Sequence, residues 1–217
     1  MSDTITVVPS EISPLVMDFC NTVSPGQTPQ YVNVIPESYC QENFCFPNVE
    51  QKVQIDGGSI VYGWQIWLMP EILIEAEFHA VWKSPQGELI DIIPRSQPVE
   101  KILFIQDLER TYTGKKVDNI RKNISDNELV DTFINIAKCE FNIVSYFETF
   151  KSRYFIPEMD IEIGKELIEI HRIYLGMIRN KMKRSDRCIC GSGKKFKNCC
   201  EKGCLKIIRY VRDNYRN

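Results

Sequence analysis

Histidine is scarce, with two in 217 residues. Any imidazole-based site must therefore use His79 or His171. Long apolar runs are missing too, and no stretch approaches the ~18 consecutive apolar residues of a membrane-spanning helix. The opening segment MSDTITVVPSEISPLVMDF lacks a basic leader, and Pro9 and Pro14 break its apolar patches, so it does not read as a signal peptide. There is no internal repeat, and no RRM, KH or helix-turn-helix signature.

Cysteine, by contrast, is plentiful. Nine are present, an odd number, five of them between residues 188 and 204. That pattern suits reduced thiols in the cytoplasm better than a disulfide framework. Hydrophobic residues make up 43% of the chain, enough for a real core. The formal net charge of −2 conceals an asymmetry. Residues 178–217 hold 13 Lys and Arg against 3 Asp and Glu, a net of +10, and the remainder has a net of −12. A basic tail on an acidic body suggests an anionic partner, ribosomal or other RNA or an acidic protein. The alternative is a tail whose cations offset nearby thiolates.

Residues 187–204 read RCICGSGKKFKNCCEKGC. Cys188 and Cys190 form one close pair, and Cys199 and Cys200 form another, with Gly191-Ser192-Gly193 between them. Two thiol pairs joined by a tight glycine turn can place four sulfurs around one ion, the arrangement zinc favours. Arg187, Lys194, Lys195 and Lys197 lie close enough in sequence to offset the thiolates. Cys204 competes for the fourth position. An iron–sulfur cluster is a lesser alternative, because adjacent cysteines are poor cluster spacing. The stretch resembles the SEC-C motif, the zinc knuckle at the C-terminus of the preprotein translocase SecA and of many unrelated bacterial proteins. The resemblance rests on Cys-x-Cys, the Gly-Ser-Gly-Lys-Lys-Phe-Lys run and the final Cys-Cys. It implies zinc held by Cys188, Cys190, Cys199 and Cys200, with Cys200 where SecA has histidine. It also implies a role in docking partner protein or ribosome.

The rest of the chain reads as α+β: an antiparallel sheet with an N-terminal helix, a C-terminal helical pair, and the small knuckle. The expected divisions are a body at 1–110, a helical region at 111–184, and the knuckle with its basic tail at 185–217. Residues 1–35 read as an extended lead-in. Residues 36–56 look helical in two pieces, the second starting at Pro47 and ending at Asp56-Gly57-Gly58. That start places Cys45 just before a helix N-terminus. Strands follow at 59–68, 72–82 and 88–94, with a further strand at 101–106. In 72–82, Ile74, Ala76, Phe78, Ala80 and Trp82 face one way, while Glu75, Glu77 and His79 face the other. A hairpin centred at Pro85 pairs positions whose numbers sum to about 170, which sets His79 opposite Asp91. Ser125-x-x-Glu128 reads as a capping box before an apolar run to Phe150. Residues 160–182 carry a stripe of Ile163, Leu167, Ile170, Tyr174, Met177 and Ile178.

Cys45, His79 and Asp91 occur in an order that loosely resembles transglutaminase-like and papain-like thiol folds, over residues 36–95. The resemblance implies Cys45 as nucleophile, His79 as base and Asp91 as its orienter, in a cysteine-dependent hydrolase or acyl transferase. Cys40 is a weaker candidate for the nucleophile. The competing readings are a small buried thiol at Cys45 and a solvated polar strand face at Glu75, Glu77, His79 and Asp91. Those four could also hold a divalent ion. His171, at the edge of the second helix's apolar stripe, reads as a packing residue.

Overall fold

The computed structural model describes residues 6–149 and 158–215. The end of the apolar run at Phe150 and the first five residues of the lead-in lie outside them. The chain divides into two compact units, Met1–Lys122 and Asn123–Asn217. Among the described residues, no helix is long and apolar enough to cross a membrane.

The first unit is built on a sheet. Its strands are β1 (Gln30–Val34), β2 (Ser59–Met69), β3 (Leu73–Lys83), β4 (Leu89–Asp91), β5 (Lys101–Gln106) and β6 (Ile120–Asn123). Their order is β2-β5-β1-β4-β3-β6, and β2 also pairs with β3. That extra pairing closes the sheet into a small barrel, so five strands have no open edge of the ring to protect. The sheet is α+β in context but not purely antiparallel. β1 runs parallel to β4, pairing Asn33 with Ile90 and Val34 with Asp91. The expected antiparallel sheet is corrected here. The parallel pair joins segments more than fifty residues apart, and such a contact leaves no local turn signal.

The lead-in is not irregular. Helix α1 (Pro14–Val23) begins on Ser13, whose hydroxyl accepts from the Val16 N–H at 3.4 Å, with Pro14 preset for the first turn. Only the second of the two expected pieces in 36–56 is helical. Helix α2 spans Cys45–Asp56, so Cys45 is its first residue rather than a residue before it. Pro47 remains within the first turn, where its missing N–H costs nothing.

The β3–β4 register pairs Trp82 with Ile90 and Lys83 with Leu89, a sum of 172 rather than 170, and β4 is only three residues long. A two-residue shift keeps every side chain on its expected face. The alternation of β3 holds up to Phe78, then gives way to continuous burial through Trp82. One face there carries α2, through Cys45, Val49, Ala80 and Trp82. The other is the barrel interior, filled by Val32, Val61, Val81, Ile102 and Phe104. Gly63 is needed at this point, because a Cβ there would stand 2.4 Å from the Phe104 ring and 2.3 Å from the Ile105 carbonyl oxygen.

In the second unit, α3 (Glu128–Thr149) and α4 (Glu158–Arg179) pack together, followed by α5 (Cys200–Asn214). The expected capping box does not form. The Asn127 side chain accepts from the Leu129 N–H at 3.1 Å instead, while the Ser125 hydroxyl donates to Asn123. The apolar stripe of α4 from Ile163 to Ile178 is buried as its period requires.

Candidate functional site

The knuckle is a tight hairpin followed by a turn and a helix start. Arg187 bridges Lys195, and the Cys188 N–H donates to the Lys194 carbonyl at 2.7 Å. The reversal depends on Gly191 and Gly193, at φ of 77° and 72°, where other residues are strained. Phe196 then plugs into the unit as a fully buried side chain, its ring 5.6 Å from that of Tyr174. It opens a 3-10 turn, Phe196–Asn198, that delivers Cys199 to the cap of α5 and Cys200 to its first position. Arg184 ties the base of the hairpin to the same unit through Glu201, at 2.5 and 2.7 Å, and through Glu128 at 3.0 Å.

These local constraints bring four sulfurs together. The Sγ atoms of Cys188, Cys190, Cys199 and Cys200 lie within 4.8 Å of one another. Cys199 is 3.5 Å from Cys190 and 4.0 Å from Cys200. None is in a disulfide. A tetrahedral ion with ~2.3 Å metal–sulfur bonds would set sulfurs roughly 3.8 Å apart. The spacing therefore suits one metal ion. Cys204 is not in this group and is buried on α5. Hydrogen bonds with Ser192, then with the other thiols, hold Cys190 down to about 6. The Cys188 and Cys190 thiols push Cys200 up to about 12. Four sulfurs so close resist sharing negative charge without a cation among them. Arg187, Lys194, Lys195 and Lys197 are all exposed around them.

The first unit gathers the other candidates. His79 Nε2 is 3.3 Å from Asp91 Oδ1, and the Cys45 sulfur faces the imidazole closely enough to raise its pKa. The three residues are 5%, 0% and 8% exposed respectively for His79, Asp91 and Cys45. The solvated strand face expected for His79 and Asp91 is thus corrected: the closed barrel puts them inside. Burial pulls the His79 pKa down, but Asp91 and then Cys45 outweigh it and push it up to about 10. Burial likewise raises Asp91, yet His79 and Arg95 hold it below its ordinary value. Asp91 Oδ1 accepts the Ile93 N–H at 3.1 Å, and Oδ2 accepts from Arg95.

The divalent-ion arrangement does not assemble among the described residues. Glu75 is engaged by Asn119 and Arg121, and Glu77 accepts from Trp67 Nε1 at 2.7 Å. His171 pairs with Glu140 at 3.0 Å and lies edge-on to Phe133, a packing role. Cys40 is buried in the cluster beside Cys45. Arg95 and Gln65, which complete the buried polar group, escaped sequence reasoning. The only available signal was a polar residue, Gln65, at the centre of the aromatic strand GWQIW.

No curated protein and no solved structure matches the chain. The likeness to transglutaminase-like folds has no counterpart among these comparisons. One family model matches, and it falls on the thiol cluster: residues 184–202 carry a SEC-C motif.

Proposed function

We propose that the chain is a cytoplasmic zinc protein whose SEC-C knuckle docks an anionic partner, RNA on the ribosome in the first instance. The observation that carries the reading is the four-sulfur cluster flanked by exposed Arg187, Lys194, Lys195 and Lys197. Zinc suits the donor set because four thiolates in a tetrahedral spacing are its usual structural site. Residues 185–217 act as the docking module, and the net charge of +10 over 178–217 supplies long-range attraction. Nine unpaired cysteines fit a reducing compartment.

Co-sedimentation with ribosomes over a salt series tests this. Binding should fall steeply with salt through counterion release. Lys194→Ala, Lys195→Ala and Lys197→Ala together should flatten the slope and leave the metal content intact. Unchanged co-sedimentation after the triple change removes the RNA reading. Salt-sensitive capture by an acidic protein alone would assign the tail to protein docking.

A second reading concerns the first unit, because His79, Asp91 and Cys45 meet there. In it the Cys45 sulfur attacks an acyl carbonyl, and the His79 imidazolium hands its proton to the leaving group. Asp91 fixes the ring. Iodoacetamide at neutral pH should alkylate Cys45 well before Cys20, whose thiol burial pushes up to about 11. His79→Ala should slow the reaction at Cys45. Equal labelling of Cys45 and Cys20, or indifference to His79→Ala, eliminates an activated nucleophile.

A further inference from the structure

We infer that the barrel mouth where β1 begins binds a free α-amino acid with an aliphatic side chain, its carboxylate on Lys83 and its ammonium on Glu88. The strand register builds this mouth. Gln30 pairs with Phe104, Gly63 with Gln106, Ser59 with Lys83, and Leu89 with Lys83, while β1 runs parallel to β4. So β1, β2 and β4 start at the end where β3 and β5 finish. Residues two apart on a strand share a face, as do directly paired residues. Val61, Val81 and Phe104 fill the interior. Lys83 stands two beyond Val81, and Gln106 two beyond Phe104. Gln30 lies opposite Phe104, and Leu89 opposite Lys83. These four side chains therefore continue the interior face past its apolar filling and out to solvent.

A cavity of about 550 Å³ opens there, within the usual size of a small-molecule site and in a usual place for one. Val61 and Leu89 give it an apolar floor, and Gln30, Gln106, Lys83 and Glu88 give it a polar rim. Gln106 is half-buried and the other three rim residues are exposed, so all are within a ligand's reach. Lys83 and Glu88 are the charged residues that line it. Among the described residues neither has an ion-pair partner, and the two glutamine amides have no side-chain hydrogen bond. One cation and one anion, not joined to each other, thus face a cavity of zero net charge. An anion alone would sit beside Glu88, and a cation alone beside Lys83. A sugar would desolvate both charges without answering either. A zwitterion answers both through charge-assisted hydrogen bonds. The glutamine amides donate and accept, so they serve either end of it. The apolar floor takes the aliphatic side chain. A peptide terminus brings one of the two charges and fails the same count. The site uses neither the thiol cluster nor Cys45, so it stands apart from both readings above.

The experiment uses the full chain, uniformly labelled with ¹⁵N. L-leucine is titrated at pH 7 beside N-acetyl-leucine, which lacks the ammonium, and leucinamide, which lacks the carboxylate. The backbone amides of Lys83, Glu88 and Gln106 should shift saturably with L-leucine, while those of Cys190 and Lys194 stay in place. Each single-charge probe should bind at least tenfold more weakly. Lys83→Gln and Glu88→Gln, both at exposed positions, should each weaken leucine binding at least tenfold. Lys83→Gln should also erase the preference for leucine over leucinamide. Unchanged signals away from the mouth verify that each variant is folded. The inference is overturned if leucine gives no saturable shift, which means the rim serves water alone. It is equally overturned if either single-charge probe matches leucine, which assigns the mouth to a chain terminus or a simple ion, or if both charge variants bind leucine as the parent does.

Discussion

Burial alone would strip the proton from His79, yet Asp91 and Cys45 reverse that outcome and carry its pKa to about 10. A folded-state value above the unfolded value of about 6.5 means the proton stabilises the fold. That contribution is complete below pH ~6.5 and is lost as pH rises through about 10. Asp91 works in the opposite sense. Its pKa is held below the ordinary value, so its contribution is present above that value and fades as acid protonates it. Asp91→Asn removes the carboxylate shared by buried His79 and half-buried Arg95 and should cost about 3–5 kcal/mol, read from chemical denaturation. The fall in stability between pH 7 and 10 should also be shallower in this variant than in the parent. A parent whose stability is flat across that window, or a variant with the parent's slope, would show that the buried pair does not carry the proton.

The elements differ in how plainly the sequence announces them. β2, β3 and β5 are β-branched, aromatic and bounded by Pro or Gly, and each is present. α2 ends on Gly57 and Gly58 for the same kind of local reason, both glycines having positive φ. α1 was marked only by Ser13-Pro14 ahead of ten residues, a signal easily lost in a Pro-rich lead-in. β1 left no signal in the lead-in, whereas β4 was expected at 88–94 and is present at Leu89–Asp91. They are short, and their parallel pairing is set by closure of the barrel rather than by neighbours in sequence. The His79–Asp91 encounter was legible despite the wrong register, because an error of two residues preserves the face. Arg95 was not, since its position depends on how the chain turns after β4. Closure of the barrel is itself testable at Gly63. In Gly63→Ala the new methyl meets backbone and a fixed ring, contacts that cannot swing aside. The substitution should destabilise the protein by about 1–3 kcal/mol in thermal or denaturant unfolding. A neutral effect would mean β2 and β5 do not pack as closely as the barrel demands.

Across the whole molecule, charge and chemistry are divided. The acidic part contains the barrel with its buried ion pair, and the basic part carries the thiol knuckle. The knuckle is too small to bury a core, and its own contribution is one aromatic plug, Phe196, and one ion-pair anchor, Arg184. A metal ion held by the four thiols would supply much of its folding energy. The sequence displayed this site almost completely, because its geometry is local: two thiol pairs, a glycine turn and a helix start within one short segment. Elemental analysis of the protein purified without chelator, beside Cys190→Ser, tests the claim most directly. One equivalent of zinc per chain in the parent, and its loss in the variant, is the predicted result. A parent that holds no zinc while residues 184–202 remain folded, or a Cys190→Ser protein that keeps a full equivalent, would contradict it.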